Sequence, residues 1–149
     1  METPELTLCM IVRNEEKHLD RCLQSVKSLV QEIIVVDTGS SDNTRDIALR
    51  YGAAIIDFPW NEDFAEARNA GLRLATGRWI LVLDADEELG DTDVASLNRL
   101  MEQPDVYGCY IQMINFVGAQ PGEEYVTDSV CRLFRNDPRI TYTGPIHED

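Results

Sequence analysis

Trp79-Ile80-Leu81-Val82-Leu83-Asp84-Ala85-Asp86-Glu87-Glu88 is the stretch from which this chain's fold is read. Apolar residues with β-branched members predict a buried strand. The run stops at two aspartates separated by one alanine. On an extended backbone, residues two apart share a side, so Asp84 and Asp86 point the same way past the strand end. Two carboxylates that close repel unless a cation lies between them or water surrounds them. Carboxylate oxygens suit Mg2+ or Mn2+, ions that also take phosphate oxygens. The stretch therefore points to a divalent-metal site for a phosphate-bearing ligand at the carboxyl end of a sheet strand. The plainer alternative is a solvated acidic turn.

Upstream of this strand the chain alternates between two periodicities. Leu6 to Val12 is near-continuously apolar, as a central parallel strand covered on both faces should be. Asn14 is placed to cap a helix running to about Val30, with Leu19, Cys22, Leu23, Val26 and Leu29 at helical spacing. Ile33 to Val36 predicts a second strand ending at Asp37. Ser41 and Asp42 open a helix that Gly52 closes, and Ala53 to Phe58 forms a third strand. Asp63 with Glu66 resembles a capping box for a helix ending near Gly77. Repeated βαβ units imply right-handed crossovers and an open, mostly parallel sheet. After Asp86 the pattern turns β-rich: a short helix from Thr92 to Met101, a strand from Val106 to Phe116, a turn at Pro121-Gly122 and a strand from Val126 to Phe134. These strands are expected to add antiparallel to the sheet.

The chain has 149 residues, which suits one domain, and 44% of them are hydrophobic, enough for a core. Lysine and arginine number 13 against 27 aspartates and glutamates, a net charge of −14. That balance argues against a nucleic-acid partner and against anionic lipid surfaces. Met1-Glu2-Thr3-Pro4-Glu5 lacks the basic opening of a signal peptide, and no apolar stretch is long enough to be a transmembrane segment. Cys9, Cys22, Cys109 and Cys131 form no C-x-x-C pair, and Cys9 and Cys109 sit in apolar runs as ordinary buried thiols. A reducing, cytoplasmic setting is the expectation. The ending Ile146-His147-Glu148-Asp149 is abrupt, which suggests a fragment of a longer protein.

Open α/β sheets bind ligands beyond the carboxyl ends of their strands, where strand order reverses. Three such ends are polar here: Arg13-Asn14-Glu15-Glu16, Asp37-Thr38-Gly39-Ser40-Ser41-Asp42-Asn43-Thr44 and Asp84-Ala85-Asp86. For Asp37 the alternative is a plain turn residue. No glycine-rich phosphate loop of the dinucleotide or P-loop type occurs. Phosphate would then be held by metal and arginine. The candidate is Arg68, in Phe64-Ala65-Glu66-Ala67-Arg68-Asn69-Ala70-Gly71, whose small residues allow close approach. Taken alone, Arg68 reads first as a surface arginine paired with Glu66 or Asp63.

These blocks match a family. Cys9 to Glu16, Val35 to Thr44, Ala67 to Gly71 and Leu83 to Glu87 resemble, in order and spacing, the family 2 glycosyltransferases with the GT-A fold. Arg132-Leu133-Phe134-Arg135 and Gly144-Pro145-Ile146-His147-Glu148 resemble a bacterial branch of it, often fused to helical repeats. The resemblance implies a mixed, mostly parallel α/β sheet flanked by helices, with a Rossmann-like nucleotide-binding half and a β-rich acceptor half. Residues 1–149 would be the catalytic domain, truncated at its C-terminus, with a further C-terminal domain in the full-length protein. The implied activity moves a sugar from a nucleotide-sugar donor, usually a UDP-sugar, to a hydroxyl, with inversion at the anomeric carbon. The acceptor would be a glycan, a lipid-linked acceptor or a protein.

Carried over residue by residue, Asp37 would bind the nucleoside and Arg68 the base or diphosphate. Arg13, Glu15, Thr38 and Ala85 would complete the donor-binding set. Asp84 would face ribose and metal, Asp86 would ligate Mn2+ or Mg2+, and His147 would complete the metal shell. Many members carry two aspartates where this chain has Asp37-Thr38, which loosens the expectation for the nucleobase. The catalytic base is expected among the late carboxylates Glu148 and Asp149, with Glu87 and Glu88 nearer the metal. Two rivals remain at this level. One is a nucleotide-sugar- and metal-binding module without turnover. The other is a phosphoacceptor domain, which wants a lysine after a late strand, whereas the only lysines are Lys17 and Lys27.

Overall fold

The computed structural model describes residues 4–60, 62–103, 108–111, 114–116, 124–126 and 130–137. Its first half is β1 (Leu6–Val12), α1 (Leu19–Val26), β2 (Glu32–Asp37), α2 (Thr44–Arg50), β3 (Ala54–Asp57), α3 (Phe64–Leu74) and β4 (Trp79–Val82). Then follow α4 (Asp91–Met101), β5 (Gly108–Ile111), β6 (Ile114–Phe116), β7 (Glu124–Val126) and β8 (Val130–Arg135). The main sheet has the order β3-β2-β1-β4-β8-β5, and β6 pairs with β7 in a separate two-stranded sheet. Strands β1 to β4 are parallel, while β8 runs antiparallel to both β4 and β5. The sheet is the mixed, mostly parallel one expected.

Chain order sets where a ligand can enter. From β1 the chain steps outward to β2 and β3, then crosses back to β4 on the other side of β1. The strand order therefore reverses between β1 and β4, and the carboxyl ends at such a reversal are where open α/β sheets bind ligands. Right-handed crossovers put helices of opposite stepping direction on opposite faces. Accordingly Leu6, Leu8, Met10 and Val12 pack with Leu19, Leu23 and Ile47 of α1 and α2. On the other face Cys9, Ile34, Ile80 and Val82 pack with Leu72 of α3. Gly71 lets α3 lie close: a Cβ there would sit 3.2 Å from Val36 Cγ2.

Several boundaries differ from those the sequence suggests. Asn14 does not cap α1. It has φ of 55°, its side chain accepts from Ser41 N at 2.7 Å, and His18 occupies the N-cap position of a helix that ends at Val26. The second helix begins at Thr44, after Asp42 has accepted from the Thr44 amide at 2.9 Å. Gly52, with φ of 79°, follows its C-cap as expected. Asp63 does cap α3, accepting from Glu66 N at 3.0 Å. The alternating stretch 106–116 is not one strand, since β5 joins the main sheet and β6 the small one. Likewise Val126 ends β7 and Val130 begins β8. A period of two is equally compatible with one long strand or two short ones in different sheets. Pro121-Gly122 lies outside the described residues.

Candidate active site

At the end of β4 the chain leaves the sheet through Leu83 and turns at Asp84 to Glu87. Glu87 N–H donates to the Asp84 carbonyl at 3.0 Å. The Glu87 carboxylate folds back and accepts from the Asp84 amide at 2.8 Å. That is the reach-back half of a capping box, supplied by the residue three further on. The Asp84 amide and the Glu87 amide are thus both paired without the Asp84 carboxylate. That carboxylate instead meets Arg68, whose Nη2 donates to Asp84 Oδ1 at 3.0 Å. The arginine side chain is only 5% exposed, while that of Asp84 is 50% exposed. Arg68 is therefore no surface arginine: α3 carries it under the sheet rim and aims it at the first aspartate of the motif.

Ala85 is buried and Asp86 is exposed, so the pair of aspartates presents one half-exposed and one open carboxylate on the rim. From the end of β1, Glu15 adds a third negative group. Burial pushes its carboxyl up, and the charge of Asp86 adds to this, with His18 opposing and Asp84 and Asp42 adding further. The structure thus brings Glu15, Asp84, Asp86 and Arg68 together at the reversal point. Arg13 stands exposed beside them.

The end of β2 is built differently. Asp37 Oδ1 accepts from the amides of Gly39 at 3.3 Å and Ser40 at 3.0 Å, while Oδ2 accepts from Arg45 Nη1 at 3.0 Å. Burial alone would raise the Asp37 carboxyl, but the hydrogen bonds from Ser40, Arg45 and Gly39 outweigh it and hold the group below its ordinary value. Asp57 lies opposite Asp37 in the register, and Arg45 bridges both carboxylates. Like charges side by side on a sheet repel, so the arginine neutralises an otherwise unfavourable pair. Thr38 is buried, with its amide and hydroxyl both donating to the Val12 carbonyl at 3.0 and 3.2 Å. Ser40 and Asn14 stitch the two loops, with Asn14 N–H donating to Ser40 Oγ at 2.9 Å.

Two residues took a role in the site that the sequence did not assign them, Arg132 standing there only as part of a matching block. Arg45 shows no signal beyond helical spacing. Arg132 of β8 forks onto Glu87, Nη1 to Oε1 at 2.8 Å and Nη2 to Oε2 at 3.0 Å, with both side chains buried. Glu87, expected near the metal, is consequently a buried partner of the turn. Burial raises its carboxyl, Asp84 and Asp86 add to that, and the Asp84 amide and Arg132 oppose it. His147, Glu148 and Asp149 lie outside the described residues. Among the described residues no group of three histidines, cysteines or acidic residues is disposed to hold a metal, and no helix is long and apolar enough to cross a membrane.

The glycosyl transferase family 2 model matches residues 7–145. The chain belongs to that family. A TPR repeat-containing protein of Synechococcus elongatus is 44% identical over 144 residues, covering 97% of this chain and 35% of that protein. The SPbeta prophage-derived glycosyltransferase SunS of Bacillus subtilis is 30% identical over 156 residues, covering 99% of this chain and 35% of SunS. The chain thus spans about a third of the length of these curated relatives. Among solved structures, S. aureus TarS 1-349 in complex with UDP-GlcNAc superposes with a TM-score of 0.56 at 20% identity, over 66% of this chain and 31% of that one. The mannosyltransferase PcManGT of Pyrobaculum calidifontis, in complex with GDP-Man and Mn2+, gives 0.59 at 24% identity, over 72% and 35%. At these identities the likeness establishes the fold, which is the GT-A type.

Proposed function

We propose that residues 1–149 form the catalytic domain of an inverting, metal-dependent glycosyltransferase that moves a sugar from a nucleotide-sugar to a hydroxyl acceptor. The observation that carries it is the Arg68–Asp84 contact at the strand-order reversal, with Asp86 open beside it. A UDP-sugar is the donor favoured, in keeping with the UDP-GlcNAc complex of TarS, although the relative bound to GDP-Man makes the nucleobase part of the test. The acceptor is a glycan, a lipid-linked acceptor or a protein.

The donor set fits Mn2+ or Mg2+. Such ions take one or two protein carboxylates and fill the rest of their shell with phosphate oxygens and water. Asp84 and Asp86 are the two carboxylates, and His147 is proposed as a third ligand. A bound ion would neutralise the charge developing on the diphosphate leaving group. Arg68 keeps Asp84 oriented and adds positive charge beside the diphosphate. Asp37, through the turn it braces, shapes the nucleoside end of the crevice together with Thr38 and Arg13. Glu15 and Ala85 line the same rim. The acceptor hydroxyl attacks from the face opposite the leaving group and loses its proton to a late carboxylate, Glu148 or Asp149.

Calorimetry with UDP-, GDP- and dTDP-sugars in Mn2+, repeated with EDTA, tests the donor. Saturable binding of one nucleotide class that EDTA abolishes is the expected result; no binding of any would overturn the reading. His147→Ala should weaken Mn2+ binding in the presence of UDP about tenfold, roughly 1.4 kcal/mol; unchanged affinity removes His147 from the set. Because the chain spans 35% of its relatives, donor binding without transfer or donor hydrolysis would favour a binding module instead.

A further inference from the structure

We propose that Glu87 and Arg132 are a positioning pair that presets the geometry of the Asp84–Asp86 carboxylates and ties it to β8. The inference rests on the donor-binding reading of that rim. Three bonds converge on the Glu87 carboxylate, and a fourth joins its backbone to that of Asp84. Glu87 Oε1 accepts from the Asp84 amide and from Arg132 Nη1, both at 2.8 Å, and Oε2 accepts from Arg132 Nη2 at 3.0 Å. The Glu87 amide donates back to the Asp84 carbonyl at 3.0 Å. A strand-end aspartate ordinarily accepts from its own turn, as Asp37 does from Gly39 and Ser40. At the β4 end the Glu87 carboxylate and amide instead bond the Asp84 amide and carbonyl, and the Asp84 carboxylate accepts from Arg68.

Arg132 makes this arrangement stable. A carboxylate as buried as Glu87 needs a compensating charge. The guanidinium fork supplies it and fixes the carboxylate in plane and direction, which a point charge would not do. Arg132 Nε is itself buried and makes no hydrogen bond, so Glu87 is the acceptor on which the arginine's charge rests among the described residues. The other side of the turn is held by α1: Cys22 Sγ lies 3.6 Å from the Asp84 carbonyl, and the Leu89 amide donates to Ser25 Oγ at 3.1 Å. The turn is therefore clamped between α1 and β8. Strand β8 leads in sequence toward Gly144-Pro145-Ile146-His147-Glu148. The pair consequently joins the donor rim to β8.

The test uses Arg132→Met, Arg132→Lys and the wild-type chain, with two readouts. Amide hydrogen exchange at Asp84, compared with Leu8 and Cys9 in β1, reports the turn without any ligand. Calorimetry of UDP with Mn2+ reports the carboxylates. Arg132→Met should speed Asp84 exchange at least tenfold more than exchange in β1, and weaken Mn2+-dependent UDP binding at least tenfold. Arg132→Lys, which keeps charge but loses the fork, should fall between it and wild type on both readouts. It carries the same reading should Arg132→Met not fold. Exchange that rises uniformly across the sheet, or a loosened turn with unchanged UDP affinity, would overturn the proposal and leave the pair a purely structural one. Wild-type protein that does not bind UDP with Mn2+ would sink the donor-binding reading itself, and the exchange arm would still decide whether the pair holds the turn.

Discussion

Asp37 and Asp84 both stand where a parallel strand of the same sheet ends, yet the chain uses them in opposite ways. Asp37 is buried, and both of its oxygens are engaged by its own turn and by Arg45. Asp84 is half-exposed; among the described residues its carboxylate accepts from Arg68, while Glu87, held by Arg132, bonds its amide. The difference teaches that an aspartate at a strand end is no reliable sign of a ligand-binding carboxylate. What decides is whether some other group satisfies the backbone around it. At β4 a second buried charge pair does so, and the cost of burying it is accepted where a free carboxylate is needed.

The contrast can be broken at its strongest point first. Removing one partner of a buried, hydrogen-bonded ion pair costs about 3–5 kcal/mol. Arg132→Met should therefore lower the unfolding free energy measured in urea by about 3–5 kcal/mol, more than any other change on this rim. A loss below about 1 kcal/mol would mean that the turn is not held by the pair.

Asp37→Ala comes next. It leaves the Gly39 and Ser40 amides without their acceptor, for which about 1–3 kcal/mol is the usual cost. Because Arg45 keeps Asp57, the loss should stay below that of Arg132→Met. Equal losses would erase the distinction between the two strand ends.

A smaller effect is expected in the pH dependence. Glu32, at the start of β2, accepts from Thr7 Oγ1 at 2.6 Å and from the Thr76 amide and hydroxyl, each at 2.8 Å. Burial would raise it, but these bonds and Gly77 outweigh that and hold it below its ordinary value, as Ser40 and Arg45 do for Asp37. A carboxyl lowered by folding stabilises the protein above its unfolded pKa of about 4.3. That contribution is lost as pH falls through the folded value. Acid unfolding should thus set in below about pH 4.5, and Glu32→Gln should flatten the slope there while leaving it unchanged near neutrality. An unchanged slope would remove Glu32 from the acid limb.

Much of this was legible in the sequence, for a physical reason. The run Leu6–Val12, the alternation of strand and helix through Trp79, and the Asp63 cap are local: period and capping chemistry lie within a few residues. The rim of polar strand ends followed from sheet topology. What was not legible depends on distance. Arg132 is 45 residues from Glu87, so its partner could not be read from spacing. Arg45 gains its meaning only when β3 brings Asp57 beside Asp37. Asn14 looked like a cap because its side chain suits one, but Ser41, 27 residues on, captured it. The split of 106–116 into β5 and β6 reflects pairing with different strands, which alternation cannot encode.

Asp86 offers the sharpest single test of the account, since it is exposed beyond the strand and supports nothing else in the described structure. Calorimetric titration of UDP into Asp86→Ala in Mn2+, with and without EDTA and alongside wild type, isolates its role. EDTA-sensitive binding by wild type, binding weakened at least tenfold in the variant and an unchanged thermal midpoint are expected. Mn2+-dependent affinity equal to wild type in the folded variant would contradict it.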